Sequence, residues 1–193
     1  MDAKTWEDRL APILPTLEKI GDDTWEEFVT DFGGKTYKWL NTGPPLIMHS
    51  LLVANTKKVY DDGTTLSCIG KGLSWRFVYK NEAENWEARL IWKKIDENRL
   101  ICKPSTKTLS LYVNQSIQYP LGVDAETINL VLGWQTEWIE KAALYVVCPN
   151  GVRSNSWSFP FNKTAGTSWI SIPTVTMPPP KSPTLIPSIV RRK

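Results

Sequence analysis

With 193 residues, 41% of them hydrophobic, the chain is long enough to bury one well-packed core, and no run of eighteen apolar residues marks a membrane-spanning helix. Twenty-three basic and twenty acidic residues give a net charge of +3, but residues 1–34 hold three basic and nine acidic residues while residues 35–193 hold twenty and eleven. An acidic head and a basic body imply that the head docks either on the body or on a second copy of the chain.

The first segment, TWEDRLAPILPTLEKI, puts Trp6, Leu10, Ile13, Leu14, Leu17 and Ile20 at helical spacing, with Pro12 and Pro15 interrupting it. A helix broken into two pieces is expected. In DDTWEEFVTDFGG, Asp22 or Asp23 is a candidate N-cap, and Gly33-Gly34 is a stop. One face of that second helix carries Trp25, Phe28, Val29 and Phe32, a candidate assembly or docking surface. TYKWL and a turn at NTGPP lead into LIMHSLLVA, whose continuous apolar run reads as a buried strand. A turn at KKVYDDGTT and a strand at TLSCI follow.

LSWRFVYK and WEARLIWK alternate large apolar residues with polar ones, the period of a half-buried strand. A four-residue loop, Glu82 to Asn85, joins them into a hairpin that keeps both apolar rows on one face. This register sets Trp75 opposite Trp92, Phe77 opposite Leu90, Tyr79 opposite Ala88 and Lys80 opposite Glu87, and leaves Arg76 facing Ile91. Cross-strand aromatic and charged pairs of this kind contribute roughly 0.2–1 kcal/mol each, so the stagger is well specified. The second face then carries Arg76, Lys80, Arg89 and Lys93 against the single acid Glu87.

RLICK and TLSLYV continue the meander, with Lys93 expected to face Ile101. Residues 124–143 fit a helix capped by Asp124, with Ile128, Val131, Leu132, Trp138 and Ile139 inward; the alternation of Ile128, Leu130, Leu132 and Trp134 argues for a strand instead, and Gly133 weakens the helix. Helix is the choice made between them. ALYVVCPNGVRSNSWSF reads as a hairpin turning at Asn150-Gly151. From residue 172 there are six prolines, four basic residues and no acid, the composition expected of a mobile, disordered tail with an extended backbone. Pro178, Pro179 and Pro180 suit a partner protein that binds proline-rich segments, and Arg191, Arg192 and Lys193 suit an electrostatic contact. The expected fold is α+β: a helical segment 1–34, a β-rich core 35–171 built on an antiparallel meander with one further helix and a hairpin, and a tail 172–193.

Motifs for chemistry are sparse. His49 is the single histidine and sits in an apolar run without a G-x-S-x-G elbow, which favours a structural role. Cys68, Cys102 and Cys148 are odd in number and widely spaced, as suits reduced core thiols in an intracellular protein. The start MDAKTWEDRL lacks the pattern of a secretory signal, so the sequons at Asn114 and Asn162 are expected to stay unglycosylated. With no phosphate-binding glycine loop and no C-x-x-C, no cofactor, metal or catalytic residue is expected.

These features point to a structural or interaction protein that associates with itself and meets an anionic membrane surface or a nucleoprotein through Arg76, Lys80, Arg89 and Lys93. In make-up alone, being aromatic and basic with a proline-rich end, the chain resembles small virus-encoded matrix and movement proteins. It lacks the P-P-x-Y and P-[ST]-A-P motifs of budding matrix proteins, and Tyr119-Pro120-Leu121 is a fragment of Y-P-x-L. One alternative is a sequence-independent RNA-binding protein, whose base-stacking form requires exposed aromatic rings and cations on one face, and another is a small enzyme without a recognisable motif.

Overall fold

The computed structural model describes residues 2–32, 43–70, 75–102, 112–113, 126–136, 141–151 and 153–162. Gly33-Gly34, TYKWL, most of TLSLYV, Tyr119–Leu121, Trp138, Ile139 and the tail 172–193 lie outside them. Three helices, α1 (Ala3–Leu10), α2 (Leu14–Phe32) and α3 (Gly43–Val59), precede six strands. The strands are β1 (Ser67–Ile69), β2 (Arg76–Asn81), β3 (Trp86–Lys94), β4 (Glu126–Gln135), β5 (Ala143–Pro149) and β6 (Asn155–Pro160). The α+β class stands.

The helix break falls where the prolines require it. Asp2 caps α1 by accepting from the Thr5 amide at 3.2 Å, and a turn through Ala11, Pro12 and Ile13 separates α1 from α2. Pro15 lies in the first turn of α2, where its missing N–H breaks no helical bond. From there α2 runs through Asp22 and Asp23 without interruption, so neither is an N-cap. Asp23 pairs with Lys19 at 2.6 Å, and Asp22 reaches across to Lys141 at 2.6 Å. At Gly21 a Cβ would lie 2.4 Å from Leu144 Cδ1, so glycine lets α2 press directly on β5.

LIMHSLLVA is helical, not extended. Pro44 and Pro45 pre-set the first turn of α3, Lys57 and Lys58 complement its last, and Pro44, Met48, Leu52 and Thr56 form a buried stripe at four-residue spacing. After α3, the Asp62 carboxylate accepts from the Thr64 amide and hydroxyl, at 3.1 and 2.8 Å, and Gly63 takes φ +64, closing the expected turn. The Thr64 amide bond is the main reason the Asp62 carboxyl is held below its ordinary range.

Strand order follows chain order, β1-β2-β3-β4-β5-β6. The β2–β3 register is the expected one, with Phe77 against Leu90, Tyr79 against Ala88 and Lys80 against Glu87. Residues 126–135 form a strand and not a helix, and β4 pairs with β3 in parallel, Leu90 beside Leu130 and Trp92 beside Leu132. The sheet is therefore two three-stranded antiparallel meanders joined along a parallel seam. Every β4 residue from Thr127 to Trp134 is buried, which is why its sequence shows too little polar alternation to declare a strand. Gly133 fits the strand because the Ile95 side chain lies over it; a Cβ there would come within 2.7 Å of Ile95 Cδ1.

Beyond β3, Ile95 pairs with Ile101, so the bridge lies two residues further along β3 than the expected Lys93–Ile101 pairing. Asp96 sets the longer loop by accepting from the Asn98 and Leu100 amides at 2.9 and 2.8 Å, while Arg99 adopts a left-handed φ of 60. Tyr112 and Val113, expected in a strand, are helical in conformation. The β5–β6 hairpin stands, with a five-residue connection, Asn150 to Ser154, in place of a two-residue turn, and a register shift at Cys148/Pro149.

One sheet face packs against all three helices: Trp6, Leu10, Leu17, Phe28, Met48 and Leu52 join Phe77, Leu90, Trp92, Leu130, Trp134 and Phe159 in a single core. The acidic head thus docks on its own body. A buried relay ties α3 to the sheet, the Trp92 indole donating to Thr56 Oγ1 at 2.9 Å and that hydroxyl donating to the Leu52 carbonyl at 2.7 Å. Thr56→Val keeps the shape of the side chain but leaves a fully buried indole N–H without its acceptor. A loss of about 1–3 kcal/mol of stability, read from the denaturant midpoint, is expected; an unchanged midpoint would show that the relay contributes nothing.

Candidate anion-binding face

The other sheet face holds a second, smaller core. Ile91, Val131, Tyr145 and Val147 from β3, β4 and β5 meet Ile95, Ile101, Tyr112 and Val113 from the connection between β3 and β4. This face is therefore not the open, solvated surface that period two alone suggests. Its centre is apolar and covered, and the cations of β2 and β3 flank the covered patch.

Strand alternation puts Arg76 and Lys80 on β2, and Arg89 and Lys93 on β3, on this one face, with Arg89 opposite Val78. The structure brings three of the four together around Tyr112 and β3. The Arg76 guanidinium carbon lies 5.6 Å from the centre of the Tyr112 ring. The Tyr112 hydroxyl donates to the Arg89 and Leu130 carbonyls, the second at 2.8 Å. Burial drives the Tyr112 phenol far above its ordinary pKa, while the charges of Arg76 and Arg89 oppose that rise, so both guanidiniums act on one ring. Lys93 is half-buried, and desolvation holds its ammonium below its ordinary pKa.

Lys80 points elsewhere. It pairs with Glu82 in the hairpin loop at 2.5 Å, and Glu87 pairs with Arg89 at 2.5 Å instead of with Lys80 across the strands. Among the described residues, Arg76 and Lys93 form no ion pair. A fifth cation, Arg99, was not recognised from the sequence: it is 8% exposed, and its guanidinium carbon lies 4.6 Å from the Tyr145 ring centre. Nothing local in RLICK marks it, because its position depends on the Asp96 loop.

Two neighbours of this face bear on what it can hold. Ile69 of β1 pairs with Arg76, shares its face and is 58% exposed, which sets an apolar side chain in water beside the cation. Tyr112 and Tyr145 are only 3% and 6% exposed, so neither ring is open for a base to stack on. The rings are covered and the cations lie against them.

On the opposite side of the sheet, Trp92 is fully buried, while Trp75 is half-buried with the Lys57 ammonium 3.8 Å from its ring centre. The candidate assembly face of α2 is largely internal: Trp25 and Phe28 belong to the main core, Phe32 packs against it, and Val29 is exposed. His49 lies half-buried on α3. Cys148 is buried, its thiol pushed up to about 12 by desolvation, and Cys68 and Cys102 are half-buried and outside any disulfide. Among the described residues, no group of three or more His, Cys, Asp or Glu side chains is placed to hold a metal ion, and no helix is long and apolar enough to cross a membrane.

Comparison of the chain with known protein families, with curated proteins and with solved structures finds no match.

The Lys93 environment gives a pH dependence with a definite sign. Burial disfavours the charged ammonium in the fold, so the unfolded chain binds more protons between the lowered pKa and the ordinary value of 10.5, and stability rises with pH across that window. Lys93→Met is therefore expected to be more stable than the parent at neutral pH, with the difference shrinking as pH approaches 10.5. Urea unfolding of both proteins across that range checks it; a difference that stays constant or widens contradicts the desolvation.

Proposed function

We propose that this chain is a non-enzymatic structural or interaction protein that lies peripherally on an anionic lipid surface through the margin of its second sheet face. Arg76, Arg89 and Lys93 are the headgroup contacts. The observation that carries this reading is the pairing of Arg76, which has no ion pair among the described residues, with the exposed Ile69 on the neighbouring strand. A cation for phosphate beside an apolar side chain for the acyl boundary is the chemistry an anionic bilayer surface rewards. The covered state of Tyr112 and Tyr145 disfavours the alternative of single-stranded RNA held by base stacking. Self-association, in this reading, does not use Trp25 and Phe28, which are occupied within the chain's own core.

Co-sedimentation with vesicles containing phosphatidylserine, at low and high salt, tests the proposal. Each cation near such a surface contributes about 1 kcal/mol, so changing Arg76, Lys80, Arg89 and Lys93 together to Glu is expected to lower low-salt binding by roughly a hundredfold or more. Arg76→Gln with Lys93→Gln provides a milder pair, and urea unfolding confirms that each variant is folded. Retention of binding by both folded variants contradicts the proposal. Retardation of RNA by the parent without vesicle binding also contradicts it and favours a nucleoprotein partner.

A further inference from the structure

Asn150-Gly151 is the single Asn-Gly pair of the chain. In such a pair the main-chain nitrogen meets least obstruction on its way to the asparagine side chain, because glycine brings no Cβ. The pair lies in the β5–β6 connection, where Gly151 takes φ +99. The Asn150 amide donates to the Ser154 carbonyl at 2.8 Å, and the Ser154 hydroxyl donates to the Asn150 carbonyl, so the backbone of Asn150 is engaged on both sides. Its side chain is not: Asn150 is exposed, and among the described residues its side-chain amide makes no hydrogen bond.

Gly151 carries the atom that would attack that amide. Its N–H donates to the Val113 carbonyl at 2.9 Å, a contact between the hairpin and the connection that joins β3 to β4. Val113 is fully buried in the second core, and Tyr112 beside it is anchored by its hydroxyl on the Arg89 and Leu130 carbonyls. A nitrogen that must give up its proton to become a nucleophile is thus holding that proton against the carbonyl of a buried residue.

We propose that Asn150 is a site of self-modification by deamidation, and that the Val113 contact is its guard. When the contact opens, the Gly151 nitrogen gives its proton to water and bonds to Asn150 Cγ. The Cγ–Nδ2 bond breaks, and Nδ2 takes a proton from water and leaves as ammonia. Water then opens the five-membered succinimide at either carbonyl, giving an aspartyl or an isoaspartyl residue. The step is one-way. It adds one negative charge, and in the isoaspartyl form one backbone carbon, to a hairpin seated on the second core. The modified fraction therefore records the accumulated time that the β3–β4 connection spends away from the hairpin. This inference does not depend on the lipid-binding reading.

The test follows the full chain during incubation at mildly alkaline pH. The tryptic peptide of residues 142–153 is separated into its asparaginyl, aspartyl and isoaspartyl forms and weighed by mass spectrometry. In the folded parent the reaction is expected to run roughly tenfold or more slower than in the same chain unfolded in urea, because a local opening must precede it. Tyr112→Phe removes the hydroxyl anchor, keeps the ring and should speed the reaction by roughly threefold to tenfold. Thr56→Val weakens the fold from the helix side of the sheet and should leave the rate within about twofold of the parent. Amide hydrogen exchange reads the guard without a variant, and Gly151 should be protected in the parent. Equal rates in the folded and the urea-unfolded parent would overturn the proposal, as would an unprotected Gly151 amide. So would a folded Tyr112→Phe protein that reacts no faster than the parent, and so would acceleration by Thr56→Val as large as by Tyr112→Phe, which would show that the reaction waits on global unfolding.

Discussion

Parallel pairing of β3 with β4 is the constraint from which the rest of the architecture follows. Within each meander no more than seven residues separate a strand from the next, but a parallel partner can be reached only by carrying the chain back along the sheet. Residues 95–125 join the two strands, and among the described ones Ile95, Ile101, Tyr112 and Val113 pack on the face away from the helices. The seam strands are therefore covered twice, by α1 to α3 on one side and by the returning chain on the other. Burial of β4 from Thr127 to Trp134 is the direct result.

The same constraint shapes the electrostatics. Had the second face been bare, its cations would sit in water with little to distinguish them from any solvated sheet surface. Covering the centre of the face places Arg76 against Tyr112 and Arg99 against Tyr145, and leaves Lys93 half-buried. The pairing of an exposed Ile69 with Arg76 then falls at the margin, on the short edge strand β1, where access is least restricted. On the helix side, Arg9 between Trp6 and Trp86, paired with Glu126, performs the complementary task of fastening the acidic head to the start of the seam.

What could be read from the sequence was local and two-sided. The β2–β3 register was legible residue by residue because a slip of one position would have set Tyr79 against Glu87, and the two-piece helix was legible because Pro12 cannot continue a helix. What escaped was buried on both sides or settled by distant contacts. LIMHSLLVA looked like a buried strand because its apolar residues are continuous; the length up to Val59, Pro44-Pro45 at the start and Lys57-Lys58 at the end were the signals for a helix. Residues 126–135 looked helical for the converse reason, since polar alternation fades in a strand covered on both faces. Asp22 looked like a cap because its sequence context is that of one; its actual role, pairing with Lys141, depends on how α2 lies on the sheet.

Of the candidate face, the sequence supplied Arg76, Arg89 and Lys93 through alternation alone, and misjudged Lys80, whose nearest acid, Glu82, lies in the hairpin loop. It could not supply the roof of Tyr112, or Arg99, because both depend on the path of the return connection. That path exists only because the seam is parallel. Interstrand NMR contacts between β3 and β4 test this most directly, because the central pair, Leu90 beside Leu130, is shared by both strand directions and the flanking pairs are not. The account predicts contacts of Ala88 with Ile128 and of Trp92 with Leu132; contacts of Ala88 with Leu132 and of Trp92 with Ile128 would contradict it.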